Sequence, residues 1–175
     1  MKREILVVVD MQNDFVTGVL GTPEAVAIVP KINQKIKDSR GKVKVVLTKD
    51  THEKNYLSTL EGKNLPVQHC IEGTEGHNFA DIGSKPSDTV ITKNTFGSLR
   101  LAQYVNSFYK NGPDKITLIG VCTDICVISN AMILKSTFPE TLIVVDASLC
   151  AGVTPESHKR ALEAMKMCQI VIENE

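Results

Sequence analysis

The sequence predicts an α/β protein: a three-layer, doubly wound, mostly parallel six-stranded sheet of Rossmann-like type with helices on both faces. Two observations carry this. Short apolar, β-branched runs alternate with longer stretches of helical periodicity, and the runs ILVVV, VVL, ITLI and LIVV are continuous, not alternating. Continuous runs mark strands buried on both faces, as in a parallel sheet covered by helices. A chain of 175 residues can bury one substantial core, so residues 1–175 are expected to form a single domain.

The elements follow in order. Glu4–Asp10 reads as the first strand. Thr22 before Pro23 is a cap followed by proline at the first helical position, opening a helix over Pro23–Ser39 with Val26, Val29, Ile32 and Ile36 on one face. Lys42–Thr48 is the second strand. Residues 50–87 then break the alternation: they are polar and rich in Gly, Asn, Glu and His. A loop-rich insertion of that length in a compact domain is usually functional. Thr89–Lys93, Lys115–Val121, Leu142–Asp146 and Gln169–Glu173 supply the remaining strands. Leu99–Tyr109 and Asp124–Ser136 are helical between them, and Thr154-Pro155 repeats the cap-then-proline signal for a last helix to about Met167.

Composition excludes several classes. Lys plus Arg and Asp plus Glu are 20 each, so the formal net charge is zero, with no electrostatic footprint for nucleic acid or a polybasic membrane contact. No apolar run approaches the roughly 20 residues of a membrane span. The opening MKREILVVVD has too short an apolar run for a signal core and ends in Asp, which reads as the first strand of a cytoplasmic protein. Five cysteines, an odd number at irregular spacing, fit reduced thiols and not a disulfide framework.

In an open parallel sheet, ligands bind outside the carboxyl ends of the strands. Asp10 ends the first strand, Asp50 with His52 follows the second, Lys93 ends the third, and the fourth runs into GVCTDICV at 120–127. A carboxylate, a lysine and a thiol therefore reach one rim. In GVCTDICV either Thr123 or Asp124 suits an N-cap, which puts Cys126 in the first helical turn. Free N–H groups and the positive end of the helix dipole there favour thiolate. A strand, a tight turn and a helix start is also how α/β-hydrolases present a nucleophile beside oxyanion donors. Cys122, on the strand side, is the less activated thiol. A redox pair or half a metal site is the competing reading, but the usual spacing for those is CxxC. Cys150 and Cys168 read as small buried hydrophobes.

Asp50, His52, Glu61 and His69 together suit Zn²⁺ or Fe²⁺ with positions left open for water or substrate. On the residues alone, solvated or turn-capping loop histidines fit equally well. His77 and His158 read as structural. A non-catalytic nucleotide- or phosphate-binding module is the alternative of a different class. The first βα turn, DMQNDFVTGVLG, has neither a G-x-G-x-x-G nor a G-x-x-x-x-G-K-[ST] pattern to support it.

These segments, over nearly the whole chain, resemble the nicotinamidase and isochorismatase-like cysteine hydrolases: VVDMQNDF, TKDTH, PVQHCIEGTEG, ITKNTFGS, GVCTDICV and VVDASLC, in the family's order. The resemblance implies the isochorismatase-like hydrolase fold, with Cys126 as nucleophile, Asp10 as general acid/base and Lys93 as third catalytic member. It also implies a cis peptide between Val121 and Cys122, with the backbone N–H groups of Cys122 and Cys126 as the oxyanion site. Asp50, His52, Glu61 and His69 would hold a divalent metal, Zn²⁺ first, with Fe²⁺ or Mn²⁺ as alternatives. Glu61 resembles the carboxylate some members use where many nicotinamidases have a further histidine. Phe15 keeps an aromatic for the substrate pocket. Leu65-Pro66-Val67 stands where nicotinamidases often carry a Trp, and this chain has none. The implied activity is hydrolysis of a small amide through a thioester, nicotinamide to nicotinate and ammonia first. Another small amide or a carbamoyl or ureido compound is the alternative. The thiol argues against isochorismatase itself, which uses no cysteine nucleophile. A homodimer or tetramer is implied as well.

Overall fold

The continuous apolar runs become six strands. In the computed structural model, which describes residues 3–175, they are β1 (Glu4–Val9), β2 (Lys44–Asp50), β3 (Thr89–Lys93), β4 (Lys115–Val121), β5 (Leu142–Ala151) and β6 (Val171–Glu173). Met1 and Lys2, the start of the domain expected over 1–175, lie outside the described residues. The sheet runs in the order β3-β2-β1-β4-β5-β6 and every pairing is parallel, where a mostly parallel sheet was expected. Ile5 to Val9 are each no more than 2% exposed, as a central strand covered on both faces requires. Each such side chain contributes about 1.5–3 kcal/mol of burial.

Among the described residues there are six α-helices: α1 (Asn13–Val16), α2 (Pro23–Ser39), α3 (Leu60–Asn64), α4 (Leu99–Phe108), α5 (Ile128–Thr137) and α6 (Pro155–Met167). Ile5, Val7 and Val9 join one core with α4, α5 and α6, while Leu6 and Val8 join a second with α1 and α2. That split is the two-residue period of a strand made visible. Thr22 and Thr154 both cap as the sequence indicated, each accepting a backbone N–H two or three residues into its helix. No helix among the described residues is long and apolar enough to cross a membrane.

Several boundaries differ from expectation. β2 starts and ends two residues later than Lys42–Thr48, so Asp50 is strand-borne and buried. β5 continues past Asp146 to Ala151, through an irregularity between Leu118 and Gly120 in its pairing with β4. The buried face of α2 is Ala25, Ile28, Ile32 and Ile36; Val26 is 46% exposed. Small Ala25 begins the true stripe, and the larger Val26 drew the pattern one position off. Cys168 is exposed, not buried, because it sits at the C-cap of α6 and points away from the core, whereas Cys150 is buried as expected. Residues 50–87 are mostly loop, but they hold a 3₁₀ turn at Tyr56–Ser58 and α3.

Strand order reverses direction of winding between β1 and β4. At such a switch point the adjacent loops diverge and leave a crevice at the carboxyl ends. The predicted rim residues lie there.

Candidate active site

Asp10 directly follows β1 with φ of 48°, in the left-handed region that a short polar side chain tolerates better than most. Its carboxylate is fully buried. Thr48 on β2 donates to Oδ1 at 2.6 Å and accepts from the Asp10 N–H at 3.2 Å. Lys93 ends β3 and places Nζ 2.6 Å from Asp10 Oδ2, 3.2 Å from Asp50 Oδ1 and 3.6 Å from Cys126 Sγ. The ammonium donates to Asp50 Oδ1 and Cys126 Sγ and makes an ion pair with Asp10 Oδ2. Asp10 Oδ2 has the ion pair but no directed hydrogen bond, which leaves a lone pair for a proton. Three strands thus deliver the predicted catalytic trio to one point.

The charges follow from burial and neighbours. Burial pushes the Asp10 carboxyl up, Lys93 pulls it back, and the net shift is upward. Burial also opposes the Lys93 charge, but the Asp10 and Asp50 carboxylates around it hold the ammonium protonated. Burial pushes the Cys126 thiol well above its ordinary range, and Asp10 adds to this more than Lys93 takes away. This corrects the expectation that a helix start would hold Cys126 as thiolate. The dipole effect is worth at most about 2 kcal/mol, and desolvation of a fully buried sulfur outweighs it. Cys122 is pushed up as well, to about 12, by burial and by Asp124.

The elbow also differs in detail. The Val121–Cys122 peptide is cis, as the resemblance implied. Cys122, with extended backbone, is the cap residue, and Thr123–Val127 form a wide π-type turn before α5 starts at Ile128. Single π-turns recur at functional sites. Neither Thr123 nor Asp124 caps the helix. Thr123 Oγ1 lies 2.7 Å from His158 Nδ1, and the Asp124 carboxylate accepts the Val153 N–H at 3.1 Å. Both side chains tie the elbow to the start of α6. Asn130, one turn on, donates to the Cys126 carbonyl at 2.8 Å and accepts the Ser98 N–H at 3.0 Å.

The metal-type residues converge beside this trio. Asp50, His52 and His69 are buried, and their ligand atoms all lie within 4.8 Å of one another. Asp50 Oδ2 is 3.0 Å from His52 Nε2 and 3.6 Å from His69 Nε2. Glu61 Oε1, from α3, is 3.7 and 3.8 Å from the same two nitrogens and is more exposed. Zinc bonds of about 2.0–2.1 Å in a tetrahedron put ligand atoms about 3.3 Å apart, so the donor set fits a divalent ion. His69 donates through Nδ1 to the Val67 carbonyl at 2.8 Å, which turns Nε2 toward the site. Burial opposes the Asp50 charge, yet hydrogen bonds from His52 and His69 and the Lys93 charge hold its carboxyl well below the usual range.

Supporting residues that the sequence reading passed over are now visible. Gln12 accepts the Asp50 N–H at 2.7 Å and donates to the Asp50 and His77 carbonyls at 2.8 and 3.0 Å. Asp14 accepts the Cys70 N–H at 2.7 Å and so fixes the residue after His69. Tyr56 packs edge-on against both His52 and His69 at 4.9 Å or less. Gly120 has φ of 117°, and a Cβ there would stand 2.2 Å from the Val9 carbonyl oxygen, next to Asp10. A polar residue in an apolar strand was a signal for Thr48; the others gave none beyond their proximity to the motifs.

A cavity of about 730 Å³ opens onto the site. Its lining includes His52, Glu61 and Lys93 together with Thr95, Leu99 and Arg100. Phe15 does not line it: the ring is buried, 5.5 Å from the His69 ring.

A family model described as the isochorismatase domain matches residues 4–175. The nicotinamidase of Schizosaccharomyces pombe is 29% identical over an alignment covering 97% of this chain and 92% of that one. The nicotinamidase/pyrazinamidase of Mycobacterium tuberculosis is 26% identical, covering 94% and 95%. Among solved structures, the pyrazinamidase of Pyrococcus horikoshii in complex with zinc superimposes with a TM-score of 0.86 at 30% identity, covering 97% of this chain and 98% of that one.

Proposed function

The chain belongs to the isochorismatase domain family, and from that premise we propose that it is a cysteine amidohydrolase converting nicotinamide to nicotinate and ammonia. One observation carries the reading. A single buried ammonium, Lys93, touches a base at 2.6 Å and a thiol at 3.6 Å at the switch point of the sheet. That is an activated-nucleophile arrangement: nucleophile, base and a third group that orients both.

In this mechanism Asp10 takes the Cys126 proton as the amide carbonyl arrives, and the thiolate attacks the carbonyl carbon. The backbone N–H groups of Cys122 and Cys126 receive the oxyanion. Asp10 returns the proton to the departing ammonia, leaving a Cys126 thioester. Water, deprotonated by Asp10, then releases the acid and restores the thiol. Lys93 stays charged throughout and keeps Asp10 and Sγ in register. Asp50, His52 and His69, with Glu61, would hold a divalent ion, Zn²⁺ first. When bound, it supplies a Lewis-acid docking point for a ring nitrogen. Phe15 acts in this reading by backing His69. A homodimer or tetramer in the cytoplasm completes the proposal.

The cavity favours a second reading. At about 730 Å³ it lies in the range of sites for drug-sized ligands, and no Trp narrows it. A larger small amide or a ureido compound would use the same chemistry. Ammonia release across a panel of amides and ureido compounds, with metal content measured on the same sample, separates the two. Turnover of nicotinamide above the rest supports the first reading. Absence of ammonia from every compound with folded, metal-loaded protein overturns both.

A further inference from the structure

Asp50 uses its two oxygens for different purposes. Oδ2 faces His52 and His69, at 3.0 and 3.6 Å, while Oδ1 faces Lys93 at 3.2 Å. Lys93 is in turn 2.6 Å from Asp10 Oδ2 and 3.6 Å from Cys126 Sγ. Asp10, Asp50, Lys93 and Cys126 are each 6% exposed or less, so water cannot readily replace a partner that one of them loses. The one ammonium is thus shared between Asp10, Cys126 and Asp50, by an ion pair to the first and hydrogen bonds to the other two.

Resting on the metal reading above, we propose that Lys93 couples the divalent-ion site to the Asp10–Cys126 pair through Asp50. A cation held at Oδ2 draws charge from Asp50 and repels the nearby ammonium, so it weakens the Lys93–Asp50 contact. Lys93 is then committed to Asp10 and Sγ. Coupling between sites is reciprocal: whatever strengthens the hold of Lys93 on Asp50 must weaken the ion by the same factor. Two signs follow. Lys93→Met removes the competitor for Asp50 and tightens the ion. Asp10→Asn removes the 2.6 Å partner of Lys93, lets the ammonium lean on Asp50 and weakens the ion, although Asp10 is not a ligand.

A direct field effect of the Asp10 charge on the ion predicts the same sign for Asp10→Asn, so the double variant decides. If Lys93 transmits the effect, Asp10→Asn has little influence once residue 93 is Met. If the field acts directly, the influence is unchanged.

The experiment is Zn²⁺ titration of the chelator-stripped full-length chain, in competition with a chromophoric chelator at one fixed pH. The proteins are wild type, Lys93→Met, Asp10→Asn and the double variant, each checked for folding by circular dichroism. Lys93→Gln replaces Lys93→Met if the latter does not fold. Changes in partners outside the direct ligands usually alter metal affinity on the order of 10–100-fold. We expect a Kd lower by tenfold or more for Lys93→Met, higher by a similar factor for Asp10→Asn, and within about twofold between Lys93→Met and the double variant. Equal weakening by Asp10→Asn in both backgrounds, or no tightening in Lys93→Met, overturns the coupling while leaving the metal site intact. A wild-type protein that binds no more Zn²⁺ than Asp50→Asn overturns the metal reading and the coupling with it.

Discussion

Thr48→Val isolates the positioning of the base from the base itself. Thr48 Oγ1 makes two hydrogen bonds to Asp10, donating to Oδ1 at 2.6 Å and accepting from the N–H at 3.2 Å, and both residues are fully buried. Valine keeps the shape and removes both bonds. A hydrogen bond to a charged group contributes about 1.5–3 kcal/mol, and a stranded buried N–H costs about 1–3 kcal/mol. The added methyl returns about 0.8 kcal/mol. The net loss is about 3 kcal/mol, which lowers Tm by roughly 6–12 °C in a chain of this size. The Thr48 hydroxyl also pulls the Asp10 carboxyl down against burial, so its loss moves Asp10 further up. Asp10 must be ionised to take the Cys126 proton, and a group with a higher pKa is protonated at higher pH. The acid limb of the kcat/KM profile for ammonia release therefore moves to higher pH in Thr48→Val. Thr48→Ser keeps the hydroxyl and should hold the limb in place. An unshifted Tm, an acid limb that moves to lower pH, or a serine variant that matches valine would refute the reasoning.

Three further outcomes are expected. Gly120→Ala must place a Cβ 2.2 Å from the Val9 carbonyl at φ 117°; it should cost more than 3 kcal/mol, read by denaturant unfolding, with activity falling along with stability because Asp10 is the next residue on that strand. Cys126→Ala should lower kcat/KM for the best amide by about 10⁴-fold or more, whereas Cys122→Ala, which keeps its backbone N–H, should stay within about tenfold; equal losses would revive the thiol-pair reading. Arg40 grips Asp88 at 2.5 and 2.8 Å, and this pairing holds the carboxyl below its usual range. Its stabilisation is therefore complete above the unfolded pKa of about 3.9 and lost as pH falls through the folded value. Asp88→Asn should lose about 1 kcal/mol at pH 7 and converge with wild type in acid, compared by thermal melts.

The legible part of this protein was what strand geometry dictates. Asp10 and Lys93 end apolar runs, and a parallel sheet puts run ends on one rim, so residue type and position sufficed. Asp50, His52 and His69 read as solvated loop residues as easily as a cluster until the fold brought their ligand-type atoms within 4.8 Å of one another. That convergence depends on long-range bonds, such as Asp14 to the Cys70 N–H, which leave no local pattern. The elbow was half legible. A strand, turn and helix start could be read, but the capping role given to Thr123 and Asp124 failed because tertiary partners, His158 and Val153, claimed both side chains. Local capping propensity loses here because a neighbouring element offers both side chains another partner.

The misjudged protonation of Cys126 has a mechanistic consequence. A helix start favours thiolate, but burial opposes it, and the Asp10 charge beside the sulfur opposes it more than Lys93 supports it. Both effects favour the neutral thiol. Cys126 therefore rests protonated next to Asp10, whose own carboxyl is pushed up by burial. Raising the Asp10 carboxyl and the Cys126 thiol together keeps the proposed proton transfer between them feasible. In the proposed mechanism, ionisation accompanies arrival of the carbonyl, where the proposed oxyanion donors would offset the cost. A thiol so held resists oxidation and stray alkylation, which both require thiolate. Iodoacetamide labelling of the Cys168→Ser protein, with Cys126 followed by peptide mass spectrometry, tests this. The labelling rate at Cys126 should still be climbing through the ordinary thiol range of about pH 8–9. A plateau already reached below neutral pH would show a preformed thiolate, and Asp10 would then have no proton to remove from it.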